Sequence, residues 1–388
     1  MTDPAGSAPY KLGYRPVLNG VRAVAILAVI AFHLRANDTA VPTRGGFLGV
    51  DIFFVLSGFL ITSLLLEEFA QRGSIRFRAF YLRRALRLLP ALFATVGVVV
   101  LYSLTLGPQA RLGAVLRDSG AALTYWENWR EAFSTNQAGT LIGHTWSLSM
   151  EEQFYILWPA LLLGLVLLRR KRLAIWAVWL GVGAIAAERA LRWHGDASVQ
   201  RLFMEFDTRA DSLLIGCGLA FLAAGGYLTR GRAARLLHVS FVPSVLVVLA
   251  FLAFAYNRSA FMFLGGFTIF ALAVAVALGN LATRHVRLVT PLLEARPIVW
   301  IGVVSYGLYL WHFPILWMLR DHLDKMRFVD PIALPLFFIV AALSYRYIEA
   351  PFLRLKSRLR EAPKPVAREP EPVPVELPAA ALEQASAG

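Results

Sequence analysis

Residues 17–34 read VLNGVRAVAILAVIAFHL, an apolar run long enough to cross a bilayer that nevertheless carries Arg22 and His33. At 100° per residue, the eleven positions from one to the other return guanidinium and imidazole to nearly the same helix face, roughly 16 Å apart along the axis. A membrane helix retains such groups at a cost of a few kcal/mol each. Side chains kept under that penalty line a cavity, and a histidine there can serve as a base. The stretch therefore predicts a membrane helix with chemistry on one stripe. A straight helix from Pro16 puts His33 roughly 25 Å along, near the far face.

The rest of the chain agrees with this beginning. Of 388 residues, 57% are hydrophobic and 16% charged, with mean hydropathy +0.58, which excludes a water-soluble globule. Apolar runs recur at residues 16–35, 47–66, 88–106, 148–168, 174–191, 209–227, 238–256, 262–282, 298–319 and 331–350. The expected fold class is all-α, a polytopic membrane bundle of about ten transmembrane helices. Pro314 and Pro335 can kink the last two without excluding them.

The net charge of +14 is a topology signal and not a nucleic-acid signal. With the N-terminus inside, inner segments hold about 24 Lys and Arg and outer ones about 12, leaving Arg22, Arg209 and Arg346 in spans. The tight turn Arg169-Arg170-Lys171-Arg172 is inner by itself. Both termini are expected in the cytoplasm, with the basic loops touching anionic membrane lipid. Residues 1–14 form a short cytoplasmic N-terminus, 15–355 one membrane domain, and 356–388 a disordered tail rich in Pro, Ala and Glu. No cleavable signal peptide and no repeat of 20–50 residues are expected. Cys217 is the single cysteine, so no intrachain disulfide can form.

Five further stretches carry candidate chemistry. The glycine-dense segment from Gly45 to Phe59 places Asp51 at the head of an apolar run, where an unpaired carboxylate is costly. Asp51 either marks a helix N-terminus, with small-residue packing at Ser57-Gly58, or sits against His33 or Arg22 and orients the imidazole. The loop after the second span carries Arg76, Arg78, Arg83, Arg84 and Arg87. Arg84 and Arg87, at i and i+3, share a helix face and could form a fork for phosphate, or merely anchor the loop inside. His144-Thr145-Trp146-Ser147-Leu148-Ser149-Met150-Glu151-Glu152-Gln153-Phe154-Tyr155 opens the fourth span, with Glu151 and Tyr155 on one face. Tyr309, Trp311 and His312 stand before Pro314 in the ninth, and Arg346 can pair with Glu349 at i+3 in the tenth. There is no Walker loop, GxSxG elbow or HExxH, and the seven histidines offer no short metal-ligand spacing, so no metal is expected.

In this order on ten spans, these residues resemble the integral-membrane acyltransferase-3 family, whose members O-acylate cell-surface carbohydrates and some secreted small molecules. The resemblance covers about residues 14–355. It rests on Arg22-x10-His33, Gly49-Val50-Asp51 through Ser57-Gly58, Arg84-x-x-Arg87, Trp146 through Tyr155, Ser305 through His312, and Glu349-x-Pro351. It implies an acyl-CoA donor on the cytoplasmic side, acetyl-CoA by default, and an acceptor hydroxyl on a cell-envelope or exported carbohydrate. His33 then looks like the catalytic histidine, as general base on the acceptor hydroxyl or as a transient acyl carrier, with Arg22 its motif partner and Asp51 or Glu151 fixing its tautomer. Arg84 and Arg87 resemble the family's basic pair for CoA, and backbone at Ser57-Gly58 could hold an oxyanion. Trp146, Tyr155, Tyr309 and His312 are the expected substrate contacts. Some relatives carry a fused SGNH hydrolase-like domain, whereas about 37 residues follow Pro351 here. Any relay of the acyl group to an outer serine esterase would then use a separate protein, or not occur. The rival readings are acylation of a macrolide-type metabolite, a glycan transporter or flippase in the plasma membrane, and a scaffold whose buried polar groups only fix helix packing.

Overall fold

A computed structural model of the chain describes residues 12–34, 44–134, 141–168, 170–323 and 326–358. The expected N-terminal segment through residue 11, and the tail from residue 359, lie outside the described residues. All ten apolar runs are helical, and no strand occurs among the described residues. They are α1 (Pro16–Leu34), α2 (Gly49–Arg72), α3 (Phe77–Thr105), α4 (Trp146–Leu167), α5 (Lys171–Leu191), α6 (Asp211–Ala224), α7 (Phe241–Phe254), α8 (Phe267–Thr283), α9 (Ser305–His322) and α10 (Met326–Ser344).

Seven helical segments are long and apolar enough to cross a membrane, and nine if two bent pairs each count as one span. The bent pairs are Gly231–Val239 with α7, at 45°, and Arg296–Val303 with α9, at 68°. The sixth run, outside that count, is shorter than expected. α6 has 14 residues, roughly 21 Å of helix. Its burial lets it be short, because it packs inside the bundle instead of facing 30 Å of hydrocarbon.

Small residues set the closest helix crossings, as the absence of a hydrophobic drive between membrane helices requires. A methyl group added to Gly58 of α2 would collide with the Leu213 carbonyl of α6, and one on Gly216 of α6 with the Val55 carbonyl of α2. Gly302 fits against Asn19 of α1 in the same way. Two buried ion pairs lock this layer. Arg209 reaches both carboxylate oxygens of Asp51 at 3.0 Å, and Arg189 meets Asp211 at 2.9 and 3.0 Å.

The 68° bend before Ser305 starts α9 inside the bundle and lays it along the polar stripe of α1. Ser305 then faces Arg22, and His312 faces His33. At the far end of α10 the backbone relaxes into a π turn, Tyr345–Glu349. That turn changes the expected i, i+3 geometry: Arg346 points outward while Glu349 is buried beside Ser344, so the anticipated Arg346–Glu349 pair does not form.

Candidate functional site

The polar stripe of α1 opens into two cavities, one at each end of the bundle. The first, about 330 Å³, is built where the start of α1 meets the end of α2 and the start of α3. Arg22, Arg84, Arg87, Glu151, Tyr155 and Tyr306 line it. The second, about 340 Å³, opens where α1 ends and α2 begins. Its wall holds His33, His144, Trp146 and Phe203, and its polar rim includes Glu131 and Arg258. Val50 and Tyr309 line both. The Tyr309 hydroxyl is held in this partition by the His144 carbonyl at 2.6 Å and by the Ser147 hydroxyl.

The arginines of the first cavity are not equivalent. Arg84 is committed: it meets Glu152 at 2.7 Å and stacks on the Tyr155 ring at 3.4 Å. Tyr155 in turn donates to Glu151, at 2.5 Å, which is the i, i+4 pair expected from their spacing. Arg22 donates through Nε to Ser305 at 3.2 Å. Neither Arg22 nor Arg87 has a carboxylate within ion-pair distance among the described residues. Two half-buried guanidiniums therefore present N–H groups without a carboxylate partner to one cavity, an arrangement that suits an anion. This revises the expected phosphate fork: Arg84 contributes charge and shape through Glu152, and Arg87 is the residue of the pair left open.

His33 closes the last turn of α1 and faces the second cavity. Its Nδ1 lies 2.9 Å from the Val29 carbonyl and 3.3 Å from His312 Nε2. Phe32 and Phe313 flank the ring edge-on. Pro314 has no N–H to offer the Leu310 carbonyl, and that carbonyl faces His144 instead.

Several expected roles fall to other residues. Asp51 does not orient His33, because Arg209 takes both its oxygens and Ser212 donates to one at 3.0 Å. Glu151 does not reach His33 either; it belongs to the other cavity with Tyr155. Gly58 faces α6 backbone and lines neither cavity. Its N–H, deep in α2, is already used within the helix and is not available to an oxyanion. Ser57 does line the arginine cavity. His312, expected at the substrate, is fully buried behind His33 and lines neither cavity. Trp146 and Tyr309 stand on cavity walls, and Tyr155 on the arginine side.

Sequence reasoning missed most of the second cavity's rim. Glu131, Gln200, Asn257 and Arg258 come from segments between spans with no apolar period to mark them. Ser305 and Tyr306 lay within a stretch already singled out, and their signal was adjacency to Tyr309. Next to this rim, three carboxylates share one guanidinium. Asp118, Glu127 and Glu131 lie 3.0, 2.6 and 2.5 Å from Arg130. Burial pushes Glu127 up to about 8 despite Arg130, and it also raises Glu131.

Residues 15–346 match the family described as an acyltransferase domain. A peptidoglycan O-acetyltransferase of Listeria monocytogenes is 33% identical over 357 residues, covering 88% of this chain and 56% of that protein. A putative peptidoglycan O-acetyltransferase of Bacillus subtilis is 34% identical over 364 residues, covering 87% and 55%. A putative O-acetyltransferase of Staphylococcus aureus is 35% identical over 368 residues, covering 91% and 59%. The chain thus spans somewhat over half the length of the curated relatives it matches. No solved structure matches it. The match across almost every helix that builds the two cavities makes this multi-pass membrane chain a member of the acyltransferase-3 family.

Proposed function

We propose that the chain moves an acyl group, acetyl by default, from acyl-CoA to a hydroxyl of a cell-envelope carbohydrate of the peptidoglycan class. The observation that carries this reading is the pair of cavities at opposite ends of one polar stripe, one with unpaired guanidiniums and one with His33. The distribution of basic loops supports a cytoplasmic position for the arginine cavity, in a plasma membrane with both termini inside. Arg87 and Arg22 are suited to CoA phosphates, while the apolar wall leading to Val50 and Tyr309 is suited to the pantetheine arm. The aromatic wall and polar rim of the second cavity suit a sugar.

In this mechanism His33 takes the proton of the acceptor hydroxyl as its oxygen attacks the thioester carbonyl. The tetrahedral intermediate collapses with cleavage of the carbon–sulfur bond, and the thiolate of CoA leaves with the proton returned from His33. The acyl carbon must pass the Val50–Tyr309 partition, so the Tyr309 hydroxyl has to leave Ser147 and the His144 carbonyl during turnover.

The test uses vesicles of the reconstituted protein, with acetyl-CoA supplied to the face bearing the arginine cavity and muropeptide-like glycan to the other. Acetyl transfer should appear as a mass increase of one acetyl group on the glycan. His33→Ala should abolish it with insertion intact, because one imidazole is a small part of a span's apolar total. Retained turnover in that variant would remove His33 from the mechanism.

A further inference from the structure

Only one ring nitrogen of His33 can serve as a base toward the cavity, and the surroundings decide which. The Val29 carbonyl at 2.9 Å can only accept, so Nδ1 of His33 must carry hydrogen. His312 is decided by the same rule. Its Nδ1 lies 2.7 Å from the Tyr309 carbonyl and 3.0 Å from the Leu308 carbonyl, and so must also carry hydrogen. His312 is fully buried, with no carboxylate within ion-pair distance among the described residues, which disfavours the imidazolium. A neutral ring with hydrogen on Nδ1 has a lone pair on Nε2. That lone pair faces His33 Nδ1 at 3.3 Å.

We propose that His312 is a positioning residue for His33: locked as the Nδ1–H form by two α9 carbonyls, it accepts from Nδ1 of His33 and so keeps the Nε2 lone pair of His33 in the acceptor cavity. This role rests on the reading of His33 as the base. It fills the place the sequence had assigned to a carboxylate. A neutral partner orients the ring without holding the resulting imidazolium by charge, which favours onward delivery of the proton to the leaving thiolate. The other charged or titratable groups around the pair are Arg320, whose guanidinium donates to the His33 carbonyl at 3.3 Å, and His144 and Tyr309, whose ring centres are 5.4 and 5.7 Å from that of His312. None of them is hydrogen-bonded to Nδ1 of His33.

The test uses the full chain in vesicles with 15N-labelled histidine, the His33 signals being assigned by difference against His33→Ala. The wild type should show His33 with hydrogen on Nδ1 and an unprotonated Nε2. His312→Phe fills the space of the ring without its acceptor. It leaves the Val29 carbonyl as the one remaining acceptor for Nδ1 of His33, so a measurable fraction of the Nε2–H form should appear and kcat should fall severalfold, about in proportion to the Nδ1–H form lost, with KM for acetyl-CoA within about twofold. His312→Gln, whose amide oxygen reaches near the position of Nε2, should restore the single form and bring kcat back to about the wild-type value. An unchanged His33 spectrum and kcat in His312→Phe would overturn the role, as would His312→Gln performing no better than His312→Phe. Activity lost in His33→Ala but kept in full in His312→Phe overturns the role of His312 alone, whereas activity kept in His33→Ala overturns the base reading and this role with it.

Discussion

Replacing Arg87 by lysine keeps the charge of the arginine cavity and removes the planar fork. Among the described residues no carboxylate pairs with Arg87, so its N–H groups are free for a ligand and the substitution breaks no ion pair of the fold. If those groups grip CoA phosphate bidentately, a lysine recovers one charge-assisted bond where arginine made two. The loss is about 1–3 kcal/mol, roughly a 5- to 150-fold rise in apparent KM for acetyl-CoA. The assay is initial rate against acetyl-CoA concentration in vesicles with acceptor saturating. Arg84→Lys is the internal control. It loses the forked contact with Glu152 and the stacking on Tyr155, keeping at most one charged bond, so it should lower thermal stability, by about 1–3 kcal/mol, with KM little changed. An unchanged KM in Arg87→Lys, or an equal rise in Arg84→Lys, would refute the division of labour between the two arginines.

Three other outcomes follow from the same geometry. Asp51→Asn leaves Arg209 buried without its partner and should destabilise the protein by about 3–5 kcal/mol, measured by thermal unfolding in detergent; a fold of undiminished stability with selectively lost catalysis would return Asp51 to the site. In a Cys217→Ser background, single cysteines at Arg170 and Arg232 should resist an impermeant thiol reagent in intact cells while one at Arg258 reacts, and the reverse pattern would invert the proposed orientation. Burial raises the Glu127 carboxyl to about 8, so the folded state holds a proton that the unfolded state has already released. Stability of the segment around Glu127 is therefore greatest below the ordinary carboxylate range and declines as pH rises toward 8. Amide exchange over residues 112–133 should accelerate across that window, Glu127→Gln should flatten the change, and a pH-independent wild type would contradict it.

The expected ten spans and the observed seven to nine differ at particular places, each with a physical reason. Hydropathy locates apolar runs without saying what surrounds them. It placed α6 correctly but could not show that other helices enclose it, and an enclosed helix need not match the bilayer's thickness. The break before Ser305 carries no proline, and no local pattern announces its 68° turn.

The candidate site divides in the same way. Periodicity alone placed Arg22 and His33 on one stripe, and Glu151 with Tyr155 on one face, because helical spacing is local and repeats every 3.6 residues. The membrane's cost for buried charge then marked Asp51, Arg209 and His312 as residues with partners to find. Which partners they have is a question of contacts across hundreds of positions, and tertiary structure decided it. Asp51 went to Arg209 instead of His33, because α2 and α6 approach closely through Gly58 and Gly216. His312 went to His33, because a bent helix lies along α1. The sequence by itself determined a polytopic helical bundle with a polar stripe, since those follow from composition and period. The two cavities and the Tyr309 partition between them arise from the angles at which helices meet, which depend on side chains packed from many elements at once.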